Sequence, residues 1–214
     1  MVRERRKDGY YPTDPKASAA LAWWLRQRAG EALRTGVWVD PAAGDGLLLS
    51  GLGVPVAQRR AIELHDKHAL ELKRRVPSAK IGNGLTLSWA DARHVAMNPD
   101  FNNETMTAFV ARALKHQEAT RGLVCCLALA TWWHSDAMRL KKAAGVSKPT
   151  HILVPAERVS CDGTGRGDMR AIDWLVWHPA YLGQPTVVEW LPPATPSADV
   201  LADHKRLALA GAAP

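Results

Sequence analysis

Three short apolar runs and one weaker strand segment in this chain each end on a residue able to hold a ligand. Val37-Trp38-Val39 runs into Asp40, Ala61-Ile62 into Glu63, residues 79–82 into Asn83, and Val95-Ala96-Met97 into Asn98. Stretches with helical signals separate them. Asp14-Pro15 reads as a helix cap followed by proline at the first helical position, so residues 15–29 form a helix. A second helix begins near Leu47, and a third runs over 66–75, ended before Pro77. Asn102 caps a fourth, in which Met106, Phe109, Val110, Ala113 and Leu114 keep an apolar stripe at helical spacing. Further helices are expected over 135–144 and 198–209. Strands alternating with helices imply an α/β, Rossmann-like fold: an open, mostly parallel sheet with helices on both faces. Seven strands are expected, over 37–40, 60–64, 79–83, 94–97, 123–130, 152–155 and 172–177. Sheets of this kind bind ligands at the carboxyl ends of their strands, where Asp40, Glu63, Asn83 and Asn98 converge.

A length of 214 residues suits one domain with a full core. The expected division is a basic segment 1–14, a domain 15–190 and a proline-rich tail 191–214. The charged stretch Arg3 to Lys7 is not followed by the apolar run of a signal peptide. No apolar run approaches the ~18 residues of a membrane span. Three cysteines, two of them adjacent (Cys125 and Cys126), make neither a disulfide framework nor a zinc spacing, and a reducing, cytoplasmic setting is expected. A net charge of +7 favours a polyanionic partner, a nucleic acid above all. Of the nine tryptophans most are expected in the core, Trp132 and Trp133 among them.

The loop after the first strand is Asp40-Pro41-Ala42-Ala43-Gly44-Asp45-Gly46. Its glycines let backbone approach a ligand closely. The loop lacks the spacing of a dinucleotide fingerprint and the Lys-Ser/Thr of a phosphate loop. Asp40 suits an ammonium group, and Glu63 suits a pair of ribose hydroxyls. A ligand with both groups and no pyrophosphate is S-adenosyl-L-methionine. The expected cofactor-binding set is Tyr11, Thr13, Asp40, Ala42, Gly44, Gly46, Glu63, Leu64, Asn83 and Asn98.

Asn98-Pro99-Asp100-Phe101 resembles the Asn/Asp-Pro-Pro-Tyr/Phe motif of amino-methyltransferases. The whole order, with Tyr11-Pro12-Thr13 before the first helix and the Asp40–Gly46 loop after the first strand, resembles the N6-adenine DNA methyltransferase family, its small phage-type members especially. That resemblance implies a class I methyltransferase fold, S-adenosylmethionine as cofactor and the N6 amine of adenine as acceptor. It also implies roles for the catalytic set Asn98, Pro99, Asp100 and Phe101. The Asn98 side-chain oxygen and the Pro99 carbonyl accept the amine's two N–H bonds, and Phe101 stacks on the base. Asp100 departs from the family's proline. Asn83 stands where the family usually has an acid facing the cofactor's adenine amine.

Double-stranded DNA is the expected partner, its target base flipped into the pocket. Arg158, Arg166 and Arg170, around the glycine-rich loop 160–168, are the expected phosphate contacts. With no room for a target-recognition domain, low sequence specificity is expected, or a separate partner that supplies it. The same motif occurs in enzymes acting on RNA or protein glutamine, and a fold that binds nucleic acid without turnover is a further alternative.

Overall fold

The computed structural model describes residues 12–134, 138–159 and 171–210, excluding the side chains of residues 134, 138–140 and 208–210. One eight-stranded sheet runs in the order β3-β2-β1-β4-β5-β7-β6-β8. The strands are β1 (Trp38–Asp40), β2 (Arg59–Glu63), β3 (Lys80–Ile81), β4 (His94–Met97), β5 (Val124–Leu129), β6 (His151–Pro155), β7 (Ile172–Trp177) and β8 (Val187–Leu191). Only β7 runs antiparallel to its neighbours. The expected seven strands are all present. The eighth, β8, corrects the count. It lies at the sheet edge between Pro185 and Pro192, and its central Glu189 is neutralised by Arg28 at 3.3 Å, so the segment alone reads as loop.

The helices are α1 (Pro15–Arg28), α2 (Leu47–Gly51), α3 (Ala69–Arg75), α4 (Asn103–Thr120), α5 (Ala130–His134), α6 (Met138–Ala143) and α7 (Ala198–Ala210). Two start as their sequence dictates. Asp14 accepts from the Lys16 N–H at 2.8 Å, and Asn102 accepts from Glu104 and Thr105 N–H groups at 2.9 and 3.3 Å. Each relieves amide donors that a helix start leaves unpaired.

Alternation along the strands fills two core layers. Trp38, Cys125, Trp174 and Val176 face the layer with Leu21, Trp24, Leu48 and Leu49 of α1 and α2. Val39, Cys126, Leu175 and Trp177 face the layer with Met106, Phe109 and Val110 of α4. A sheet buried on both faces explains the uninterrupted apolar run of β5. Two of the buried indoles have paired N–H groups: Trp38 donates to the Ala32 carbonyl at 2.8 Å and Trp174 to that of Ala17 at 3.0 Å. Trp132 is core, as its sequence setting suggests. Cys125 and Cys126 are buried free thiols, and burial holds both well above the usual thiol range.

His94 joins the two central strands. Its Nδ1 accepts from the Leu123 N–H at 3.0 Å, which assigns the proton to Nε2, 3.2 Å from the Thr35 carbonyl. Its ring stacks on Trp38 with centroids 4.7 Å apart. At the other end of the chain, α7 is tied to α3 by ion pairs. Arg206 meets Glu71 at 2.5 Å, and Asp203 meets Arg74 and Arg75 at 2.6 and 3.1 Å. The buried Arg75 then donates to the Asp45 carbonyl at 3.0 Å, so this network reaches the loop after β1. Among the described residues no helix is long and apolar enough to cross a membrane.

Candidate active site

The sheet order reverses direction between β1 and β4, and a cavity of about 310 Å³ opens there at the carboxyl ends of the strands. Four segments wall it: residues 41–45 after β1, 63–65 after β2, 83–85 after β3, and Asn98 with Asp100 after β4. Pro12 and Thr13 before α1, and Thr105 and Phe109 of α4, complete the lining.

Of the residues expected from sequence, Thr13, Ala42, Gly44, Glu63, Leu64, Asn83, Asn98 and Asp100 line this cavity together. Asp40, Gly46, Pro99 and Phe101 do not. Asp40 is buried beneath the loop, where its Oδ1 accepts from the Ala42 N–H at 3.1 Å. Burial, with the Glu63 and Asp45 charges nearby, pushes its carboxyl up to about 8. Asp45, not Asp40, is the loop acid on the cavity wall. Gly46, at φ 82°, turns the chain into α2. Phe101 is half-buried against both core layers, and among the described residues the phenylalanine on the cavity wall is Phe109. Tyr11, Arg166 and Arg170 lie outside the described residues, and Arg158 is exposed after β6.

Glu63 organises the wall. One carboxylate oxygen accepts from the Gly44 N–H at 2.8 Å and the other from the His65 N–H at 2.9 Å. The two loops after β1 and β2 are thereby locked to one buried side chain, whose remaining lone pairs suit hydroxyl donors. Asn83 turns its own loop through Oδ1, which accepts from the Leu85 N–H at 2.8 Å. Asn98 Nδ2 donates to Thr13 Oγ1 at 3.1 Å, joining the loop after β4 to the residues leading into α1.

Gly84 closes the wall between the first and third loops. A Cβ there would lie 1.9 Å from the Pro41 carbonyl oxygen and 3.1 Å from Phe109 Cε1. Only glycine permits that approach. Sequence reasoning placed Phe109 in the helix stripe, and it passed over Gly84, Asp45 and Thr105 as site residues. The available signal was their nearness to Asn83, to the glycine loop and to the cap of α4.

Among the described residues the lining carries the carboxylates of Asp45, Glu63 and Asp100 and contains no lysine or arginine. Such a donor set favours a ligand bearing cationic groups and hydroxyls and disfavours one bearing phosphates. S-adenosylmethionine, with an ammonium, a sulfonium and a ribose diol, fits it.

No protein-family model and no curated protein matches this sequence. Solved structures do match. A candidate class I S-adenosylmethionine-dependent methyltransferase from Listeria monocytogenes superposes with a TM-score of 0.62 at 11% identity, over 97% of this chain and 73% of that one. A candidate RNA methyltransferase from Pyrococcus horikoshii gives 0.60 at 18% identity, over 82% and 90%. The DrdV–DNA complex gives 0.53 at 12% identity, over 91% of this chain but 29% of that larger one. At such identities the likeness is one of architecture, and the fold of this chain is that of the class I S-adenosylmethionine-dependent methyltransferases.

Proposed function

We propose that this protein transfers a methyl group from S-adenosylmethionine to an amino nitrogen of a nucleic-acid base, adenine N6 in DNA being the acceptor that Asn98-Pro99-Asp100-Phe101 fits best. One observation carries this reading. Asn98 and Asp100 line one cavity with Glu63, Gly44 and Asp45, so a methyl acceptor and a cationic, ribose-bearing donor would meet there.

When bound, S-adenosylmethionine supplies an electrophilic methyl group on a sulfonium. Glu63 would hold the ribose hydroxyls, the Asp45 carboxylate would balance the cationic end, and Phe109 with the Asn83–Leu85 turn would flank the adenine. With Asn98 Nδ2 donating to Thr13 Oγ1, Oδ1 is the end of the amide that would accept from an amine. Accepting an amine N–H at Asn98 Oδ1 would turn the nitrogen lone pair out of conjugation and toward the methyl group. S-adenosylmethionine would supply the methyl group to the nitrogen and leave as the neutral sulfide, which would keep the electron pair of the broken S–C bond. Asp100 puts a carboxylate on the same cavity lining to take the proton that the methylated nitrogen sheds. Positioning and fixed charges supply the rest of the rate.

The net charge of +7 and the exposed Arg158 support a phosphate-bearing acceptor. RNA is the second reading, favoured by the name carried by the Pyrococcus structure. The test offers labelled S-adenosylmethionine with duplex DNA, single-stranded DNA and RNA, followed by digestion to nucleosides and mass spectrometry. N6-methyldeoxyadenosine, lost in Asn98→Ala, is the expected product. N6-methyladenosine from RNA would move the acceptor to RNA. Product undiminished in Asn98→Ala would refute the role given to Asn98.

A further inference from the structure

The turn that forms one wall of the cavity, Asn83-Gly84-Leu85, is held from behind. Arg112 of α4 donates through Nη1 to the Gly84 carbonyl at 3.1 Å and through Nη2 to the Leu87 carbonyl at 2.6 Å. Its guanidinium lies over the Trp89 ring, 4.3 Å from the centroid. The Trp89 indole N–H donates to the same Gly84 carbonyl at 3.1 Å. One backbone oxygen thus receives two side-chain donors, and those two side chains are stacked on each other.

This arrangement sits one helical turn from the cavity. Phe109, three residues before Arg112 on α4, lines it. Leu85 lines both the cavity and a shallow surface groove on the other side of the wall, and Arg112 belongs to that groove. The wall is therefore a single turn of chain, with the cavity before it and Arg112 behind it. On the cavity side Gly84 is already pressed against the Pro41 carbonyl, where no Cβ fits. The turn is fixed between Pro41 in front and the Arg112–Trp89 pair behind. Nothing in the cavity requires an arginine at position 112, since its side chain does not reach the lining.

We infer that Arg112, stacked on Trp89, is a positioning residue that sets the 83–85 wall and thereby the affinity of the cavity for S-adenosylmethionine. The inference rests on the reading of the cavity as the site of that cofactor. A planar, two-pronged donor is what holding two carbonyls while stacking on an indole requires. Lysine keeps the charge but replaces the fork by a single point donor.

The test compares wild type with Arg112→Met and Arg112→Lys in two readouts taken at a temperature where all three are folded. The first is the dissociation constant for S-adenosylmethionine by titration calorimetry. Arg112→Met should weaken it about tenfold, and Arg112→Lys should fall between the two. The second is amide hydrogen exchange without cofactor at Leu85, Thr86 and Leu87, whose N–H groups bond back to Asn83. Exchange there should accelerate about tenfold or more in Arg112→Met and stay unchanged in β5. An arginine with only a structural role would lower the melting temperature and leave both readouts alone, which would overturn the inference. If wild type itself fails to bind S-adenosylmethionine, the reading of the cavity falls and the affinity claim with it. The exchange rates then still decide whether Arg112 holds the turn.

Discussion

Replacing Gly84 by alanine gives the sharpest view of how the cavity is built. The added Cβ would stand 1.9 Å from the Pro41 carbonyl oxygen, 1.1 Å inside the 3.0 Å that Cβ contacts respect (3.0 − 1.9). The obstacle is backbone, pinned on its own side: the Ala42 N–H is held by Asp40, and the Gly44 N–H by Glu63. On the other side Arg112 and Trp89 hold the Gly84 carbonyl. Neither loop has a rotamer to change, so the overlap must be relieved by separating the first and third loops. Overpacking of this kind costs up to about 3 kcal/mol. In a chain of this size that lowers the melting temperature by about 6–12 °C. The control is Gly53→Ala. Gly53 has φ 75° and nothing within 4 Å of a Cβ, so the variant carries backbone strain alone. That strain is about 1 kcal/mol, a fall of about 2–4 °C. Thermal unfolding followed by circular dichroism compares the two. A Gly84→Ala protein that melts within a degree of wild type, or no lower than Gly53→Ala, would refute the close approach of the two loops.

Three further outcomes follow from single side chains. Burial lowers His94 from its ordinary 6.5 to about 4, so its neutral form stabilises the fold fully above pH 6.5 and that stabilisation is lost as pH falls toward 4. The difference corresponds to about 3 kcal/mol, and urea unfolding between pH 7 and 4.5 should show a flatter pH slope in His94→Gln than in wild type; parallel slopes would exclude His94 as the cause. Asp40 behaves oppositely: with its carboxyl raised to about 8, its contribution is present at low pH and lost as pH rises through 8. Asp40→Asn mimics the protonated form at every pH, so wild type should lose more melting temperature than the variant between pH 6.5 and 9, and equal losses would show that Asp40 is ionised at neutral pH. Asp100→Asn removes the proposed proton acceptor and should slow methyl transfer about 100-fold with cofactor affinity retained; an unchanged rate would assign Asp100 no part in the chemistry.

The position of the cavity was legible because a buried parallel strand must end where its chain leaves the sheet, and a polar residue at that point announces itself. Asp40, Glu63 and Asn98 each sit where an apolar run breaks, and β1, β2 and β4 end there. The caps of α1 and α4 were equally local, since Asp14 and Asn102 bond within three residues of themselves. What escaped depends on contacts between distant segments. β8 needs Arg28, 161 residues away, to accommodate Glu189. Which acid of the first loop faces the cavity depends on how Ala42 and Leu47 turn onto Asp40 and Asp45, which spacing does not encode. Phe101 precedes α4 and Phe109 lies within it, and only packing leaves Phe101 half-buried off the cavity while Phe109 serves both the core and the cavity wall. Arg112 reads as a solvated helix residue until the turn it holds is folded beside it.

The central claim is that an acidic cavity between β1 and β4 binds S-adenosylmethionine. Titration calorimetry of the full chain with S-adenosylmethionine, S-adenosylhomocysteine, ATP and NAD tests it most directly. The account predicts saturable one-to-one binding of S-adenosylmethionine and S-adenosylhomocysteine, weakened about tenfold or more by Glu63→Gln, and no comparable binding of ATP or NAD. Tight binding of a phosphate-bearing nucleotide, or no heat with S-adenosylmethionine, would contradict it.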